Sequence, residues 1–135
     1  MQTAKAGDGQ PSRAFSRDRR LLHAADFRHV FADPVRSSDR YFTVLARPAR
    51  ETRSHSRLGL AIARKQLRRA VDRNRIKRLI REYFRLHVAG GQEDPALDFV
   101  VMARAAVRDT GAETLRRSLA AHFARLQSRL ARQPE

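Results

Sequence analysis

From Phe15 onward, stretches with apolar residues every three or four positions alternate with stretches where they fall on every second position or run together. Helical spacing predicts a short helix over Arg20–Phe31, with Phe27, Val30 and Phe31 at i, i+3 and i+4 on one face. Asp33-Pro34 ends it, because the residue before a proline is pushed out of the helical region. Arg40–Pro48 (RYFTVLARP) is rich in β-branched and aromatic residues and predicts a strand. The polar run 49–56 predicts a loop, and Arg57–Ala63 (RLGLAIA) a second strand. Its alternation places Leu58, Leu60 and Ile62 on one face and Gly59, Ala61 and Ala63 on the other. The small-residue face would let a helix or a ligand come close to the sheet. Leu97–Ala103 (LDFVVMA) predicts a third, central strand, and a weak pattern at Val35–Ser38 leaves room for a fourth.

Two longer helices complete the pattern. Over Ala70–His87, Ile76, Leu79, Ile80, Tyr83 and His87 form an apolar stripe, and Ala89-Gly90-Gly91 supplies a stop. Thr110-Gly111-Ala112-Glu113 has the form of a capping box. After it, Leu115, Leu119, Phe123, Leu126 and Leu130 recur at helical spacing. The order α-β-β-(β)-α-β-α predicts an α+β protein, a two-layer α/β sandwich with a mixed sheet of three to four strands. Residues 1–14 (MQTAKAGDGQPSRA) are expected to be a disordered tail, and residues 15–132 a single domain. There is no internal repeat.

Charge changes this picture most. The 135 residues include 29 Lys or Arg and 14 Asp or Glu, a formal net charge of +15. Only Lys5, Lys65 and Lys77 are lysines, so the cations are mostly guanidinium forks suited to phosphate and to stacking on bases. Residues 64–85 hold ten basic residues against two acids, a local net charge of +8. On the predicted helix, Asn74, Lys77, Arg78, Arg81 and Arg85 gather opposite the apolar stripe. A ridge this dense repels itself unless a polyanion neutralises it. Nucleic acid is the expected partner. A membrane surface fits less well, because the apolar stripe is needed to cover the sheet. These features leave RNA and DNA both open, as they do a structural RNA-binding role and DNA regulation.

Composition removes most other chemistry. With no cysteine there is no disulfide scaffold, thiolate metal site or Cys nucleophile, and the chain suits a reducing cytoplasm. No apolar run approaches the ~20 residues that span a bilayer, and Met1–Arg20 lacks the apolar core of a secretory signal. His23, His29, His55, His87 and His122 have no metal-site spacing, and His87 and His122 are expected at or near the surface. The acids are scattered, with Asp98 alone in a strand, and no carboxylate pair or nucleophile motif is present. Phe27 and Phe31 could stack on unpaired bases or simply pack the first helix.

The run Leu58-Gly59-Leu60-Ala61-Ile62-Ala63-Arg64-Lys65, followed by Ala70-Val71-Asp72-Arg73-Asn74-Arg75-Ile76-Lys77-Arg78-Leu79-Ile80-Arg81-Glu82, closely resembles the protein component of bacterial ribonuclease P. Arg73-Asn74-Arg75 matches that family's signature. Asp26-Phe27, Val30-Phe31 and Phe99–Arg104 match in type and order, so the resemblance spans about Arg20 to Leu126. It implies a left-handed βαβ crossover and an RNA partner that carries the catalytic centre. It also implies removal of the 5′ leader from precursor tRNA, with Mg2+ held mainly by the RNA. No protein-borne catalytic residue, obligate protein partner or membrane is implied, and the expected location is the cytoplasm. Carried over by position, Arg64, Lys65, Arg68, Arg69, Arg73, Asn74, Arg75, Lys77, Arg78 and Arg81 would contact RNA. Phe27 and Phe31 would line a leader cleft between helix and sheet. Ala63 and Leu45 depart from the family pattern, Leu45 standing where some members have an aromatic.

Overall fold

The computed structural model describes residues 20, 21, 23–49, 55–88 and 96–131. The expected tail at 1–14 and the stop at Ala89-Gly90-Gly91 lie outside these residues. The elements are α1 (Ala24–Ala32), β1 (Val35–Ser38), β2 (Phe42–Pro48), β3 (Arg57–Leu60), α2 (Ala70–His87), β4 (Leu97–Ala103), a 3-10 turn (Ala105–Asp109) and α3 (Ala112–Ala131). The four strands form one sheet in the order β1-β2-β4-β3. β1 pairs antiparallel with β2 and β2 with β4, while β3 runs parallel to β4, so α2 is the crossover of a βαβ unit. The sheet is therefore mixed, and the weak pattern at Val35–Ser38 is a real edge strand.

Strand alternation divides the apolar residues between two faces. Phe42, Val44, Ala46, Leu58, Phe99 and Val101 face α2 and α3 in the main core. Leu45 and Val100 face the other way and meet Leu21 and Val30 beneath α1. The two main layers are thus the sheet and the α2/α3 pair, with α1 as a partial cover on the opposite face. Leu45, which departs from the family pattern, is core beneath this cover rather than lining. Phe123 of α3 packs edge-on against Phe99, with ring centroids 4.9 Å apart, and lies 6.1 Å from Phe84 of α2.

Several expectations need correction. The first helix begins at Ala24, not Arg20, because Arg20 and Leu21 are extended alongside β3. Arg20 bridges Leu58, and the Leu21 N–H donates to the Leu58 carbonyl at 3.0 Å. The strand expected from Arg40 begins at Phe42, since the Asp39 carboxylate accepts the Tyr41 and Phe42 N–H groups in a tight turn. The strand expected to reach Ala63 ends at Leu60, where the chain turns through residues 64–66 to bury Leu67. On α2 the buried line is Ile76, Ile80 and Phe84, whereas His87 in the last turn is exposed. The capping box does not close: the Thr110 hydroxyl donates back to the Ala106 carbonyl at 2.7 Å, and Glu113 pairs with Arg117.

His122 is also not a surface residue. It is 1% exposed on the α3 stripe and joins α3 to the edge strand. Its Nδ1 is hydrogen bonded to the Ser37 hydroxyl at 2.6 Å, and Arg125 donates to the same hydroxyl. Its Nε2 lies 3.1 Å from Asp39 Oδ2, too oblique for a well-aligned hydrogen bond. Ser118 donates to that carboxylate oxygen at 2.6 Å. Partial burial alone would raise the Asp39 carboxyl. Hydrogen bonds from Ser118 and the Phe42 and Tyr41 N–H groups, aided by the close His122 ring, outweigh burial and hold it at about 2 rather than 3.8. A carboxyl depressed in this way stabilises the fold above its unfolded value, and that contribution is lost as pH falls through the folded one. Asp39→Asn is therefore expected to lower the melting temperature at neutral pH. It should also flatten the stability loss between about pH 3.8 and pH 2, as read from thermal melts in a pH series.

Candidate nucleic-acid interface

The basic ridge is the outer face of α2 together with the turn that leads into it. Arg64 and Lys65 sit in the turn after β3, and Arg68 and Arg69 in the stretch before the helix; all four are exposed. Arg69 is the N-cap residue without a side-chain cap bond, and Asp72 in the first turn complements the helix dipole. Asn74, Arg78 and Arg81 are exposed at spacings of four and three, so they stack along one side of the helix. With Glu82 and Arg85 they line an open groove of about 400 Å³. Arg85 was on the predicted ridge but not among the expected contacts, although its place seven residues after Arg78 puts it in this row.

Two of the signature cations are engaged within the protein. Arg73 Nη1 donates to the Leu67 carbonyl at 2.9 Å and to the Arg68 carbonyl at 2.8 Å, so it shapes the turn that displays its neighbours. Arg75 Nη2 donates to the Thr110 carbonyl at 2.9 Å and ties α2 to the entrance of α3. For Arg78 and Arg81 no ion pair is found among the described residues. Arg73 and Arg75 thus make hydrogen bonds within the protein, Arg75 while remaining exposed, and Arg78 and Arg81 are exposed on the ridge.

A second concavity lies where the ridge meets β3 and the Arg20–Leu21 segment paired with it. Arg20, Leu21, Phe27, Leu58, Gly59, Leu60, Lys77 and Arg81 line a pocket of about 250 Å³. Its lining combines the Phe27 ring and neighbouring leucines with three cations, Arg20, Lys77 and Arg81. The small-residue face of β3 makes it possible: a Cβ on Gly59 would sit 2.8 Å from the Phe27 ring and 3.0 Å from Leu21. The small-residue face predicts this close approach, and its occupant is α1. Phe31, the other expected aromatic, is 46% exposed and stands outside the pocket. An aromatic ring beside cations suits an unpaired nucleotide, its base against the ring and its phosphate near a cation.

No described helix is long and apolar enough to cross a membrane. Among the described residues no three His, Asp or Glu side chains converge as metal ligands would. Fold and surface together define a small α+β protein with one strongly basic helix face of the kind that suits nucleic acid.

Comparison with known proteins makes the class specific. Residues 15–127 match the family model described as Ribonuclease P. The ribonuclease P protein component of Methylococcus capsulatus is 50% identical over 109 residues, covering 81% of each chain. That of Escherichia coli is 44% identical over 121 residues, covering 90% of this chain and 97% of the relative. A Staphylococcus aureus RNase P protein variant superposes with a TM-score of 0.71 at 33% identity, covering 79% of this chain and 86% of the other. The Thermotoga maritima RNase P protein gives 0.65 at 30% identity, covering 81% and 96%. The chain belongs to the bacterial ribonuclease P protein family, the accessory subunits of the ribonucleoprotein that processes tRNA 5′ ends.

Proposed function

We propose that this chain binds the catalytic RNA through the outer face of α2 and the turn before it. In this reading it receives the unpaired 5′ leader of precursor tRNA in the pocket bounded by Phe27, Gly59 and Arg81. The supporting observation is that Arg81 lines both the open groove and the pocket beside Phe27. One row of cations then serves both polyanions and lowers the repulsion between them. Arg64, Lys65, Arg68, Arg69, Asn74 and Arg78 act on phosphates, while Arg73 and Arg75 hold the ridge in shape. Phe31 lies at the exposed end of α1, where a longer leader would pass. Hydrolysis of the phosphodiester is assigned to Mg2+ held by RNA phosphates, and no step is assigned to a protein side chain. The complex works in the cytoplasm, where its precursor tRNA substrates are made.

The test is reconstitution with a bacterial ribonuclease P RNA at limiting magnesium. Added protein is expected to accelerate leader removal, and more so for a leader-bearing precursor than for one with the leader trimmed to a single nucleotide. Equal acceleration of both precursors would sink the leader assignment. No acceleration of either would sink the whole reading.

A further inference from the structure

α1 has nine residues, too few to hold a helix in isolation, so its place on the sheet is set by what it touches. Val30 anchors it below, against Leu45 and Val100. On one flank Arg47 Nη1 donates to the His29 carbonyl at 2.7 Å, and His29 Nε2 lies 3.1 Å from the Pro48 carbonyl. At the other end is a buried charge cluster that neither the ridge nor the pocket includes. Arg57, the first residue of β3, gives Asp98 of β4 two hydrogen bonds, from Nε at 3.2 Å and from Nη2 at 3.1 Å. The same Nη2 reaches Asp26 of α1 at 3.2 Å. The side chains of Arg57, Asp26 and Asp98 are only 12%, 5% and 1% exposed.

Arg57 differs from the ridge cations in kind. Its fork faces two carboxylates and not solvent, so it is not placed to meet a phosphate. The pair of carboxylates raises its already high pKa despite burial, so it stays a cation. Asp98 is fixed in a central strand, and Arg57 is fixed by register beside it. Of the three, Asp26 alone sits outside the sheet, on the short helix. Asp26 is followed directly by Phe27, whose ring occupies the space left by Gly59 and forms a wall of the pocket. Neighbouring helix residues move together, so a displacement of Asp26 carries Phe27 with it.

We propose that Arg57 is a positioning residue: by clamping Asp26 of α1 to Asp98 of β4, it holds Phe27 as a pocket wall and so sets affinity for the leader without touching RNA. This rests on the reading that the pocket takes the leader.

The test uses the full chain assembled with catalytic RNA and compares Asp26→Ala, Arg57→Lys and Phe27→Ala. Asp26→Ala leaves Arg57 paired with Asp98 and puts a good helix former in α1, so it carries the test if Arg57→Lys does not fold. Arg57→Lys keeps the charge and removes the fork. Each variant is expected to weaken binding of a leader-bearing precursor about tenfold, the size of one lost base–aromatic stack. For Asp26→Ala and Arg57→Lys, binding of a leaderless tRNA, binding of the catalytic RNA and kcat at saturation should stay as in the parent protein. Asp26→Ala combined with Phe27→Ala should lose no more than Phe27→Ala alone, because both act through one ring. Hydrogen exchange in the free protein should show faster exchange in residues 24–32 for Asp26→Ala. If the two losses add, or if Asp26→Ala weakens leaderless tRNA equally, the clamp is overturned. If Asp26→Ala is silent while Phe27→Ala is leader-dependent, the clamp alone fails. If Phe27→Ala itself ignores the leader, the pocket assignment fails and takes the proposal with it.

Discussion

Replacing Arg78 and Arg81 together by Gln is expected to weaken binding to the catalytic RNA about a hundredfold at ~0.15 M salt and to leave the melting temperature within about 2 °C of the parent. Both side chains are exposed on the outer face of α2 and line the open groove. No ion pair within the described protein holds either one. If they meet phosphate as proposed, their removal takes away charge-assisted contacts and nothing from the core. Each phosphate contact releases counterions, so the slope of log affinity against log salt should fall by about 0.7 to 0.9 per cation, roughly 1.5 for the pair. Binding titrations across a salt series, with circular dichroism melts alongside, read both quantities. A large loss of affinity with an unchanged slope would mean that these arginines do not meet phosphate. Arg73→Ala should behave differently, because its guanidinium holds the Leu67 and Arg68 carbonyls. That change disturbs the turn that displays the other cations, so part of its effect is structural.

The largest effect on stability is expected from Phe123→Ala. Its ring lies 4.9 Å from Phe99, 6.1 Å from Phe84 and 5.9 Å from Tyr83, so it stands where β4, α2 and α3 meet. Truncation removes a fully buried aromatic and leaves a cavity that three separate elements would have to close, at a cost of about 3–5 kcal/mol. For a domain of this size the melting temperature should fall by about 15 °C. A urea titration should show a lower midpoint with an unchanged slope. RNA binding should recover when RNA is in excess, because binding to the folded form pulls the equilibrium back. A binding defect that persists in fully folded variant protein would place Phe123 in the interface itself.

How far the sequence reached follows from how local each feature is. α2 runs from Ala70 to His87 and β4 from Leu97 to Ala103, both with the expected bounds, because each carries a long periodic or continuous apolar signal. The α3 stripe of Leu115, Leu119, Phe123, Leu126 and Leu130 is buried throughout. Departures occur where a distant partner competes with local preference. Arg20 and Leu21 follow helical spacing but extend along β3. His122 fits a polar position on a helix, yet Ser37, 85 residues away in sequence, draws it into a buried network. Asp98, expected as a lone strand carboxylate, lies in a central strand and is gripped by Arg57, 41 residues before it.

The amino-acid order by itself determined the partner class, the charged face of α2, the two faces of β3 and the motif that carries the family. All of these rest on residue type and on spacing within one element. Tertiary structure alone decided that Phe27 and not Phe31 joins Lys77 and Arg81 around a pocket, and that Arg73 and Arg75 donate to backbone carbonyls of neighbouring segments. It also decided that Asp26, Arg57 and Asp98 meet. Each of these pairings joins residues from separate elements, and periodicity places a side chain on a face without saying which other face it will meet.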